Sequence, residues 1–92
     1  MQQDRAEEIA LLALGWLAGN DDLLPVFMNA SGAGADDLRA GASDSAFLAA
    51  VLDFLLMDDA WIVACCDTLG EGYETLMRAR QALPGGSLPN WT

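Results

Sequence analysis

The sequence predicts an all-α fold, a bundle of about six short helices. Two observations carry that expectation and a third separates the helices from one another. Strand signals are missing, because Ile, Val, Thr and Tyr are few and nowhere alternate with polar residues. Leu and Ala, both strong helix formers, dominate the apolar set. Acids and glycines punctuate the apolar stretches, and these residue types favour helix starts and stops respectively.

Taken in order, the first helix is expected over about 4–18, where Ile9, Leu12, Leu14, Trp16 and Leu17 sit near helical spacing. Asp4, Glu7 and Glu8 suit its positive end. Gly19-Asn20-Asp21 stops it, and Asn20 or Asp21 caps a second helix over about 22–31, with Leu23, Leu24, Phe27 and Met28 inward. Pro25 falls in its first turn, where a missing N–H costs nothing. A loop at 31–35 carries Gly32 as a C-terminal cap. A short third helix fits 36–42. Ser43 or Asp44 caps a fourth over about 45–57, Asp58 or Asp59 a fifth over about 59–69 ending at Gly70, and a sixth runs over about 73–83. The domain is therefore expected over 1–83, with 84–92 as a C-terminal tail.

In this reading the pairs Asp21-Asp22, Asp36-Asp37 and Asp58-Asp59, with Asp44, stand at helix starts, where carboxylates accept bonds from orphan N–H groups. The fourth helix is apolar on nearly every side, leaving only the Ser45–Ala49–Asp53 line for water. Such a helix is expected at the centre, wrapped by the others. A shift of 38 residues also brings features into coincidence: Trp16 falls on Phe54, Asp21 on Asp59, and Gly32-x-Gly34 on Gly70-x-Gly72. The expectation is a three-helix unit used twice, over 6–42 and 44–80.

Composition bounds the function. The chain has 92 residues and is 53% hydrophobic, with 14 acids against four arginines, no Lys and no His, for a net charge of −10. Disorder is not expected at that hydrophobicity. Direct nucleic-acid binding lacks the basic stripe it needs, and an anionic membrane surface would repel the chain. No stretch reads as a signal peptide or a bilayer span, so a cytoplasmic location is the expectation. Absence of His removes the commonest general base and metal ligand.

The stretches AEEIALLALGWLA (6–18), FMNASG (27–32), DDLR (36–39) and above all DSAFLAAVLDFLLMDD (44–59) resemble a family of small bacterial proteins known only as domain of unknown function 3572. The resemblance spans most of 6–80. It implies a compact all-helical domain of the bacterial cytoplasm and implies no activity, cofactor or site residue. Cys65-Cys66 and Trp91 are not among its features.

Four residues invite chemistry. Cys65 and Cys66 could form a reactive thiol, a redox switch or half of a metal site. Against that, they sit late in a helix beside Asp67, which disfavours a thiolate, and neighbours about 100° apart do not clamp one zinc ion. The favoured reading is that both are small core or half-buried residues. Asp53 interrupts the most apolar helix; buried it would be an acid or base, and otherwise it faces water or pairs with Arg5, Arg39, Arg78 or Arg80. Trp91, in the tail, could dock on a partner or fold back on its own domain. The Asp pairs lack the alternating ligands of a calcium loop, and the Gly-x-Gly turns follow no strand and carry no Lys.

No catalytic, cofactor-binding or metal motif stands out, and the reading leans away from an enzyme. The favoured function is a protein–protein interaction or adaptor module acting on a protein partner or as a homo-oligomer. The alternatives are an acidic decoy of a basic nucleic-acid-binding partner, or a thiol sensor or enzyme using Cys65, Cys66 or Asp53.

Overall fold

A computed structural model describes residues 1–83, which carry six helices and no strand. They are α1 (Gln3–Ala18), α2 (Leu24–Ser31), α3 (Ala35–Gly41), α4 (Ser45–Leu55), α5 (Asp59–Leu69) and α6 (Thr75–Ala82). Each expected helix is present, with bounds displaced by at most two residues.

The punctuation works as carboxylate chemistry predicts at two of the starts. Asp44 caps α4 by accepting from the Ala46 N–H at 2.9 Å, and Asp58 caps α5 by accepting from the Ala60 N–H at 2.8 Å. Asn20 accepts from the N–H groups of Asp22 and Leu23, in the turn that leads into α2. Asp37 reaches back to the Gly34 N–H at 2.8 Å, and Gly34 has no side chain to return the bond. Among the described residues Asp21, Asp22, Asp36 and Asp59 make no such bond, so their charge is not explained by side-chain capping. Gly32 and Gly70 end α2 and α5 in the left-handed region, at φ 75° and 73°, where a Cβ would be strained. These matching caps lie 38 residues apart.

The core is shared by α1 and α4. Sequence alone places α4 at the centre, and it does bury Leu48, Ala49, Val51, Leu52, Phe54 and Leu55. Yet α1 packs on α6, α4 and α5, and buries Ala6, Ile9, Ala10, Ala13, Leu14 and Leu17. The three alanines, with Ala79 of α6, are completely buried. Small side chains there let α1 and α6 approach closely, while Leu76 and Leu83 fill the space beside them. Leu12 is 45% exposed, against the expectation that it faces the core.

The wet line of α4 also differs from the expected one. Ala49 is buried, and Ala46, Ala50 and Asp53 form the exposed stripe, continued by Met57. Ser45 is half-buried and its hydroxyl donates to Glu7 Oε2 at 2.6 Å, tying α4 to α1.

Candidate functional site

The residues singled out in the sequence do not converge. Cys65 and Cys66 are both fully buried and both free. Burial pushes the Cys65 thiol up to about 12, with the neighbouring Cys66 adding to it. Cys66 is raised too, by burial first and then by Asp67, Glu71 and Glu74. The environment thus opposes the thiolate that nucleophilic chemistry requires. Asp53 lies on the surface, its side chain 57% exposed, and accepts from Arg80 Nε at 2.6 Å, linking α4 to α6. Trp91 lies outside the described residues. Among those residues no three His, Cys, Asp or Glu side chains gather to hold a metal ion. Nor is any helix long and apolar enough to cross a membrane.

What the fold does assemble is a groove. Backbone approach between α2 and the other helices is slight, and α2 is joined to α4 through side chains. Phe27, almost wholly buried, meets Phe47 edge-on at 5.9 Å and Phe54 at 5.2 Å between ring centroids. Phe54 in turn stacks on Trp61 at 4.7 Å. The large Phe27 ring spans the interval between α2 and α4 and leaves the outer part of that interval open. Two adjoining concavities result. One, of about 300 Å³, is lined by Asp37, Ala40, Gly41, Asp44 and Phe47. The other, of about 250 Å³, is lined by Phe27, Ala30, Asp53, Phe54 and Met57. Ser31 and Ala50 line both, so the two lie side by side along the exposed stripe of α4 and together make up the groove.

From Asp44 to Met57 the groove follows α4 for roughly 20 Å at the helical rise. Its ionisable lining consists of Asp37, Asp44 and Asp53. At its end Met57 is 74% exposed, the highest value among the large apolar side chains described. A separate concavity of about 350 Å³ lies between Trp16 and Trp61, beside Leu23 and Val26, with Asn20 already engaged in its turn. Sequence reasoning missed the groove because it depends on how far α2 stands from α4. The one local signal was a small residue, Ala50, on the helix face that carries Asp53.

The model of the family described as "Protein of unknown function (DUF3572)" matches residues 3–86. The chain belongs to this family. All the groove residues lie inside the matched span, and Trp91 lies beyond it. No curated protein and no solved structure matches the chain.

Proposed function

We propose that the domain is a protein–protein interaction module and that the groove along α4 is its docking surface. The observation that carries this is the placement of Met57. A methionine this exposed, at the mouth of an aromatic-floored groove, presents adaptable apolar surface where a partner side chain could enter. Ala30 and Ala50 on the walls allow another backbone to come close. The net charge of −10 favours a protein over a nucleic acid as partner, and a cytoplasmic setting is part of the proposal.

In this reading Cys65 and Cys66 are packing groups and Asp53 is a surface tether, while Trp91 is a candidate contact of its own. The matched left-handed caps at Gly32 and Gly70 support the proposal that residues 6–42 and 44–80 are copies of one three-helix unit.

The test compares the full chain with its Ala50→Lys variant. Ala50 is exposed and helical, so Lys fits the fold while its stem occupies the groove. Circular dichroism confirms that the variant is folded. A protein captured by the natural chain and lost with Ala50→Lys supports the groove; equal capture by both removes it.

A further inference from the structure

We infer that the partner of the groove is an amphipathic helix carrying Lys or Arg beside its apolar face. The inference rests on the groove reading above and adds the chemistry of the occupant. The described residues carry no strand, so there is no sheet edge for an extended segment to join, and a helix of about thirteen residues at 1.5 Å each fits the roughly 20 Å of groove. Surface chemistry argues for an amphipathic one, with a floor of Phe27, Phe47 and Phe54 between short alanine walls.

Charge decides the rest. The ionisable lining is acidic throughout, and Asp37 and Asp44 join no ion pair among the described residues. Each spends one carboxylate oxygen on a backbone N–H, at Gly34 and Ala46, and carries a second. Arg5 is held by Glu8 and Glu71, and Arg80 bridges to Asp53 at the other end. A cation docked by Asp37 and Asp44 would thus meet carboxylates that stand in no ion pair among the described residues. A second copy would bring a further net charge of −10 against the same acids. Residues 84–92 carry no cationic side chain to place there.

The test uses the full chain and a fluorescein-labelled synthetic helix of fourteen residues, Leu and Ala on one face and Lys on the other. Fluorescence anisotropy is read at low and at physiological salt. Three comparison probes are a scrambled peptide of the same composition, the same helix with Glu for Lys, and the nonapeptide of residues 84–92. The Lys helix is expected to bind at least tenfold more tightly than each comparison probe and to weaken as salt rises. Asp37→Asn with Asp44→Asn keeps both side-chain acceptors and removes both charges, and is expected to weaken binding at least fivefold. Ala50→Lys is expected to weaken it at least tenfold. Equal affinity for the scrambled peptide, or no change in either variant, overturns the inference and reduces the attraction to overall charge. Tight binding of the Glu helix or the nonapeptide, abolished by Ala50→Lys, overturns the cationic partner and leaves the docking groove standing. Failure of all four probes to bind overturns the inference as well.

Discussion

Gly41 and Gly15 are both helical glycines, and the same substitution at each is predicted to move stability in opposite directions. Replacing a helix glycine by Ala gains roughly 0.5–1 kcal/mol through lost unfolded-state freedom and better propensity. At Gly15 in α1 that gain stands alone, because an added Cβ meets nothing within 4 Å. At Gly41, which is buried at the end of α3, the added methyl would overlap the ring of Phe47. The overlap reaches the ring root at Cγ, so rotating the far edge does not relieve it. Phe47 must leave its edge-on contact with Phe27, and overpacking of this kind costs about 1–3 kcal/mol. Subtracting the propensity gain leaves Gly41→Ala destabilised by roughly 0–2.5 kcal/mol, while Gly15→Ala is stabilised by about 0.5–1 kcal/mol. For a chain of this size each 1 kcal/mol is about 4–8 °C in Tm. Thermal melts followed by circular dichroism, supported by urea titration, measure both. A Gly41→Ala variant as stable as Gly15→Ala would refute the reasoning, and with it the seating of Phe47 on α3 that shapes one end of the groove.

Other substitutions test other parts of the structure. Asp44→Ala is expected to lose roughly 1 kcal/mol in urea denaturation and Asp44→Asn almost nothing, since Asn also caps well. Leu52→Ala, at a fully buried site in α4, is expected to cost about 2–5 kcal/mol, a large share of a small domain's stability. Native Cys65 should react with a neutral alkylating reagent at pH 8 at least a hundredfold more slowly than in urea. A rise from 9.0 to about 12 removes most of its thiolate even before access is counted, and matched rates would show the site to be open. Hydrogen bonds from Ser45 and then Gln3 hold the Glu7 carboxyl below the usual range. A carboxyl lowered by folding contributes stability above its unfolded pKa and loses it as pH falls through the folded value. Glu7→Gln is therefore expected to flatten the acid limb of the stability–pH curve, and an unchanged limb would contradict the bond.

Helix boundaries were legible in the sequence because their causes are local. Asp44 and Asp58 cap the residues that follow them, and Gly32 and Gly70 take the left-handed turn after α2 and α5. The face each helix buries was less legible. In α4 the first two turns of the exposed line lie one residue from those expected, because Ala46, Ala49 and Ala50 carry too little hydrophobicity to reveal which of them is buried. The central role of α1 was hidden likewise in Ala6, Ala10 and Ala13, whose value lies in allowing close approach. The acids were over-explained by capping: among the described residues Asp21, Asp22, Asp36 and Asp59 bond no helix start, and Asp37 and Asp44 also line a groove. That groove is a tertiary distance between α2 and α4, set by the span of Phe27, and no spacing in the chain encodes it directly.

Chemical-shift mapping tests the central claim most directly. The isotopically labelled full chain is titrated with the Lys-bearing helix, and backbone amide resonances are followed residue by residue. The account predicts that the largest shifts cluster at Ala30, Ser31, Asp44, Phe47, Ala50 and Met57, with Leu12 and Met77 nearly still. Shifts centred on Leu12 or Met77, or spread evenly over the acidic surface, would contradict the groove as the docking site.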